Sequence, residues 1–300
     1  MAELLITGAN GQLGWALARQ AAAAGVDAVA FDRAALDITD GDAVAAAVAA
    51  HRPAIVVNAA AYTAVDKAET DRDTALAVNR DGPANLATAC QTHGAVLIHI
   101  STDYVFNGQK SGAYGEADPV SPLGAYGETK LAGEDAIRAT TDRHVILRTA
   151  WVFGIHGHNF VKTMMRVGAD RDTLRVVADQ QGCPTFAGDL AGAVLAIAQA
   201  HHTGQAPADG FGTFHCAGTG ATTWHGFAEA IFAVAEQTWG RRPVVEAITT
   251  ADYPTPAQRP ANSVLDCNRL AQVYGHRMRP WPGALAEMLG AVLEPPPTNS

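Results

Sequence analysis

The chain has 300 residues, 48% of them hydrophobic and 17% charged, a composition that belongs to folded globular proteins and excludes disorder. Its formal net charge of -9, with no basic run, argues against nucleic acid and acidic membrane surfaces as main partners. The cysteines Cys90, Cys183, Cys216 and Cys267 lack metal-type spacing, and neither His156/His158 nor His201/His202 has a second ligand cluster, so no metal is expected.

Taken in chain order, the apolar run Leu4-Leu5-Ile6 reads as a buried strand. The cluster Gly8-Ala9-Asn10-Gly11-Gln12-Leu13-Gly14 follows it and opens a helix over Trp15–Ala24. A turn this tight can bring backbone N–H groups against a pyrophosphate at the helix N-terminus. A second apolar run, Val26–Phe31, ends at Asp32, where a dinucleotide-binding unit carries its ribose-binding acid. Further strands are expected at Ala54–Asn58, Ala95–Ile100 and His144–Arg148, with helices at Asp42–Ala50 and Thr74–Thr92.

This alternation predicts an α/β fold: a Rossmann-type, doubly wound parallel sheet over residues 1–150. The glycine cluster, Asp32, Asn58-Ala59-Ala60-Ala61 and Ser101-Thr102-Asp103 all fall immediately after strands. They are therefore expected to converge at the carboxyl edge of the sheet. Beyond Trp151 the regularity weakens and prolines and aromatics increase. Segments 151–175 and 218–294 are read as a smaller α/β substrate-binding region, with returns to the sheet within 176–217, such as Gly212–Cys216. Residues 295–300 read as a flexible tail. With no basic segment followed by an apolar core at the start, and no apolar stretch near the roughly 20 residues of a membrane span, the expected location is the cytoplasm.

Tyr126 and Lys130 lie four residues apart in a helical segment after Ser121-Pro122, which puts both side chains on one face. An ammonium beside a phenol favours the phenolate, which suits proton exchange with a carbonyl or alcohol oxygen. The lysine donors could also hold ribose hydroxyls, and Thr102 could hydrogen-bond the reacting oxygen.

These features resemble the extended short-chain dehydrogenase/reductases almost from end to end. The matching segments are residues 8–15, Asn58-Ala59-Ala60-Ala61-Tyr62-Thr63-Ala64-Val65-Asp66-Lys67-Ala68-Glu69, Ser101-Thr102-Asp103-Tyr104-Val105-Phe106, residues 126–134, Arg148–Phe153 and Arg259-Pro260-Ala261-Asn262-Ser263. The resemblance implies reduction of a 4-keto sugar on a nucleoside diphosphate. Tyr126 would be the proton donor, Lys130 the cofactor ribose anchor and Thr102 the partner of the carbonyl oxygen.

By the same resemblance, Gly11, Gln12 and Leu13 meet the cofactor pyrophosphate through their backbone. Asp32 and Arg33 meet the adenosine ribose, and Ala61, Tyr62 and Thr63 flank the middle. Gly8, Asn10, Asp37, Ile38, Ala59, Ala60 and Ile100 complete the cofactor set. Asp32 favours NADH, whereas Arg33 can offset its repulsion of a 2′-phosphate; NADPH is expected, with NADH also accepted. Thr102, Asp103, Tyr104 and Trp151 are expected at the sugar, although a tryptophan here could equally be core. Arg259 is either a diphosphate ligand or an exposed loop arginine, and Asn159 and Lys162 are further candidates. The first helix reads Trp15-Ala16-Leu17, without the glutamate some members use for an interface metal, which leaves a homodimer open.

Two other readings compete. A dehydratase needs an acid–base pair after the threonine, and here Asp103 is followed by Tyr104. A non-catalytic regulatory subunit would tend to lose part of the set Thr102, Tyr126 and Lys130, all of which are present.

Overall fold

A computed structural model describes residues 3–293, so the segment 295–300 read as a tail lies outside the described residues. β1 (Leu4–Thr7) leads through α1 (Gln12–Ala23), β2 (Ala28–Phe31) and α2 (Gly41–His51) to β3 (Ile55–Asn58). Then come α3 (Val65–Ala68), α4 (Arg72–Leu76), a π-helical turn over Ala77–Asp81 and α5 (Gly82–His93). β4 (Val96–Thr102) ends in a 3-10 turn over Asp103–Val105, ahead of α6 (Ala125–Thr140) and β5 (His144–Thr149).

The remainder comprises β6 (Val152–Phe153), α7 (Phe160–Gly168), β7 (Thr173–Val177), β8 (Gln181–Gly182), β9 (Thr185–Phe186) and α8 (Ala187–His202). It continues with β10 (Gly212–His215), β11 (Thr222–Thr223), α9 (Trp224–Trp239), β12 (Val244–Ile248), α10 (Asn268–Tyr274) and α11 (Trp281–Leu293).

Six strands form one sheet in the order β10-β5-β4-β3-β1-β2, every neighbouring pair parallel. The chain reverses its direction of travel across the sheet between β1 and β3, and there the connecting loops part to leave a crevice. Strand residues alternate between the two faces. Leu4, Ile6, Val57, Ile98 and Leu147 pack with Leu13 and Leu17 of α1 and Leu190, Val194 and Ile197 of α8. Leu5, Val56, Leu97 and Ile146 pack on the opposite face with Val44, Val48 and Leu86. A third core, away from the sheet, is aromatic: Phe153, Phe186, Phe227, Phe232 and Trp281 close it with Leu285 and Leu289.

One expectation needs correction. Thr74–Thr92 is not a single α-helix, because Pro83 has no N–H to offer the carbonyl of Asn79. The ladder widens into the π turn, and Gly82 N–H reaches back to the Ala77 carbonyl. The freed Asn79 carbonyl lies against Gly133 of α6, where any side chain would collide with it. The π turn and α6 thereby pack backbone against backbone at Gly133.

Candidate active site

Gly8 has a φ of +73°, and a Cβ there would stand 2.6 Å from the Ala60 nitrogen. A bare backbone is therefore required where the turn after β1 meets the loop after β3. Gly11 N–H donates to the Gly8 carbonyl at 2.9 Å and Trp15 N–H to Gly11 at 3.0 Å. The first-turn N–H groups of Gln12, Leu13 and Gly14 precede any intrahelical acceptor, and Gln12 and Leu13 line the crevice.

A cavity of about 230 Å³ is lined by Gly8, Asn10, Gly11, Arg33, Asp37, Ile38, Ala59, Ala60, Ala61 and Tyr62. It adjoins a larger crevice of about 690 Å³ lined by Gln12, Leu13, Thr63, Ile100, Thr102, Asp103, Tyr104, Tyr126, Lys130, Trp151 and Trp224. Asn10, Gly11, Ala59 and Ala61 line both. Asp32 stands just outside. Its carboxylate accepts from Asn10 Nδ2 at 2.8 Å and from Ala35 N–H at 2.9 Å, which fixes its orientation at the end of β2. Arg33 lies 3.5 Å from Asp37 and is largely exposed.

At the floor of the crevice, α6 carries Tyr126 and Lys130. Its N-terminus is capped from a distance: Ala125 N–H donates at 2.9 Å to Glu69 Oε1 of the segment after β3. Tyr126 packs edge-on against Tyr104 with ring centroids 5.4 Å apart. Burial pushes the Tyr126 phenol up to about 12, against a hydrogen-bond contribution from Thr102. The shift is thus opposite to the one expected toward phenolate, because desolvation penalises the anion. Burial likewise draws Lys130 down to about 8, with Glu134 acting the other way.

Thr102 donates to Asp103 Oδ1 at 3.0 Å and accepts from Tyr104 N–H at 3.1 Å. Asp103 is 2% exposed, and its Oδ2 has no hydrogen-bond partner among the described residues. Burial raises its carboxyl to about 6. Behind this floor, Glu134 accepts from Ser101 Oγ at 2.5 Å and from Arg148 Nε and Nη2 at 2.9 and 2.7 Å. Arg138 joins the same carboxylate at 2.6 Å. This buried ion network ties α6 to the ends of β4 and β5.

The opposite wall is aromatic. Trp151 has a φ of +48°, a strained value for a non-glycine residue, and its ring stacks on Trp224 with centroids 3.5 Å apart. The indole lies against Gly182, where a side chain would overlap it. Trp151 therefore both packs in the fold and faces the crevice. Trp224 also lines a separate cavity of about 330 Å³ with Phe160, Arg175, Gln180, Tyr253 and Arg259.

Two expected substrate residues are placed elsewhere. Asn159 caps α7 through Lys162 N–H and donates to Gln12 Oε1 at 3.0 Å and to the Gly154 carbonyl at 2.8 Å. Its polar atoms are engaged in joining α1 to α7, and Gly157 and His158 line the crevice in its stead. Arg259 pairs with Asp66 at 2.9 Å and with Thr255, and reaches the 330 Å³ cavity rather than the main crevice. Lys162 lines neither cavity.

Sequence reasoning missed Asn79, His99 and Trp224. Asn79, fully buried, accepts from Tyr62 N–H at 2.9 Å and donates to Thr129 Oγ1 at 3.1 Å. The Gly82-Pro83 pair inside a helical pattern was the available signal for a break there. Trp224 follows an unremarkable threonine pair and offered no signal.

Comparison with known proteins agrees with this geometry. A family model described as RmlD substrate binding domain matches residues 1–293. A dTDP-4-dehydrorhamnose reductase of Aggregatibacter actinomycetemcomitans is 46% identical over 288 residues, covering 95% of this chain and 97% of that one. The crystal structure of a dTDP-4-dehydrorhamnose reductase from Clostridium acetobutylicum superposes with a TM-score of 0.90 at 40% identity, over 97% of this chain and 99% of that one. Another from Bacillus anthracis, in complex with NADP, gives 0.90 at 37% identity, over 97% and 100%. With nearly the whole chain matched on every count, it belongs to the family of the RmlD substrate binding domain.

Proposed function

We propose that the chain is an NADPH-dependent reductase, accepting NADH as well, that converts the C4 ketone of dTDP-4-dehydro-β-L-rhamnose to the alcohol of dTDP-L-rhamnose. This is the last step in making that sugar donor, carried out in the cytoplasm. The observation that carries the reading is that Thr102, Tyr126 and Lys130 line the same crevice as the glycine turn after β1. The groups present suit a dinucleotide: a turn at Gly8 with no room for a side chain, bare N–H groups at the start of α1, and an oriented acid at Asp32. Residues 1–150 form the cofactor half in this reading, and 151–175 with 218–293 the substrate half.

The bound nicotinamide supplies the reducing equivalent to the sugar C4. Tyr126, kept protonated at neutral pH by burial, donates its phenolic proton to the developing alkoxide, a far stronger base than phenolate. Thr102, exchanging its bond to Asp103 Oδ1, offers its hydroxyl proton to the same oxygen, so charge that grows there meets a donor. Lys130 would direct the N–H not given to the Ile100 carbonyl at the cofactor ribose. Asp103, Tyr104 and Trp151 contact the sugar. Arg259, released from Asp66, meets the diphosphate by way of the cavity behind Trp224, which suits its planar fork. Asn159 acts through Gln12 and not by contact.

The test is oxidation of NADPH and of NADH by the purified protein with dTDP-4-dehydro-β-L-rhamnose made in situ. Turnover with both cofactors is expected, falling by about 10²- to 10⁴-fold in Tyr126→Phe. Turnover that survives this substitution discards Tyr126 as the donor, and no oxidation with either cofactor overturns the reductase.

A further inference from the structure

Four fully buried polar residues run in a line beneath the crevice, and their hydrogen bonds admit few arrangements. Thr7 Oγ1 donates to Asn58 Oδ1 at 2.8 Å, and Ala60 N–H donates to the same oxygen at 3.1 Å. A backbone N–H can only donate, so the Asn58 amide cannot be turned over without setting two donors face to face. Asn58 Nδ2 therefore points its N–H at His99 Nδ1, 3.0 Å away. That ring nitrogen must accept. Burial, with Arg138 and His144 adding to it, holds His99 neutral, so its single ring proton sits on Nε2. Nε2 faces Lys130 Nζ at 3.3 Å.

An ammonium has three donors and no lone pair, so against Nε2–H it would be donor facing donor. A neutral amine satisfies every contact: its lone pair accepts from His99, one N–H donates to the Ile100 carbonyl at 2.6 Å, and one remains for the crevice. We propose that Thr7, Asn58 and His99 form a tautomer lock, in which His99 is a positioning residue that presents Nε2–H to Lys130 and favours its neutral amine. The proposal concerns the lysine of the reductase reading above and rests on it only for its consequence in turnover.

The other groups around Lys130 do not remove the conflict. On its own helix, Glu134 favours the charged form but is already committed to Arg148 and Arg138. From β5, Arg148 and His144 add positive charge or none, and Tyr126 and Asp103 line the same crevice floor as Lys130. A lysine that loses its proton more readily than an exposed one can exchange it during a catalytic cycle rather than stay permanently charged.

The chain has four lysines, Lys67, Lys110, Lys130 and Lys162, which makes direct titration practical. In protein labelled with ¹³C at lysine Cε, the resonance missing from Lys130→Met belongs to Lys130. It is expected to titrate below the ordinary lysine midpoint of about 10.4. Asn58→Asp replaces the donor facing His99 Nδ1 by an acceptor, reverses the tautomer, and should move the Lys130 midpoint up by at least one pH unit. Nitrogen-15 spectra of the histidine rings in the unsubstituted protein should show His99 as the Nε2–H tautomer. An Nδ1–H tautomer, or an Asn58→Asp protein in which Lys130 titrates unchanged, overturns the proposal. The tautomer is read on the native chain, so the test stands even if Asn58→Asp does not fold. Neither readout needs substrate, so failure of the lock and failure of the reductase reading are distinguishable.

Discussion

The two walls of the crevice are built on opposite principles. The floor and cofactor side rest on the carboxyl ends of parallel strands, where Asn58, His99, Thr102, Asp103 and Lys130 are all nearly or fully buried. Their polar atoms are mostly paired with one another, so the geometry is held by a low-dielectric network in which each group restricts the next. The far wall, from Trp151 to Arg259, hangs on two-residue strands and stacked aromatic rings. One wall is rigid because its polar groups have nowhere else to go. The other is shaped by area and can adapt to a ligand.

The largest effect expected from breaking the rigid wall, after loss of the Tyr126 phenol, comes from Glu134→Gln. It leaves Arg148 buried with a carboxylate removed, and should cost about 3–5 kcal/mol in urea unfolding at pH 7. Burial raises the Glu134 carboxyl, but Arg148, Ser101 and Arg138 together hold it below the ordinary range. The folded value is therefore lower than the unfolded one. The stabilisation is complete above the unfolded value of about 4.3 and is lost as pH falls through the folded one, so the variant's deficit should shrink in acid.

Asp103 predicts the opposite sign on the same wall. Its folded value of about 6 lies above the unfolded one, so the charged carboxylate burdens the fold once pH exceeds 6. Asp103→Asn should stabilise the protein by up to about 3 kcal/mol at pH 8 and hardly at all at pH 4, measured by urea unfolding at both. No gain at pH 8 would mean that Oδ2 is satisfied in solution.

The adaptable wall should respond in binding more than in chemistry. Trp224→Ala removes the partner of Trp151 and should raise KM for the sugar nucleotide about tenfold, with kcat and the KM for NADPH within a few-fold. A matching fall in kcat would instead make this wall part of the catalytic geometry. The smallest effect lies outside both walls. Arg52 ends α2 with a φ of +44°, so Arg52→Gly should raise stability by about 1 kcal/mol in thermal unfolding and leave turnover unchanged.

Much of the floor was legible because its signals are local. Strand and helix periods, the glycines of the first turn and the four-residue spacing of Tyr126 and Lys130 each depend on neighbours within one or two turns. Thr102 could be placed because it stands at the end of a strand whose carboxyl edge must face the crevice. The far wall was less legible. Nothing near Asn159 or Arg259 in sequence announces that one caps α7 and holds Gln12 or that the other is paired with Asp66, 193 residues away.

The sequence by itself determined the alternating α/β architecture, the sheet edge where the loops converge and the shared helix face of Tyr126 and Lys130, since these follow from periodicity, steric freedom and chain direction. The tertiary structure alone decided which polar atoms meet. The π turn that admits α6, the Trp151–Trp224 stack and the line from Thr7 to Lys130 each join distant segments. A buried donor or acceptor selects its partner by position in space, and local composition carries no record of that choice.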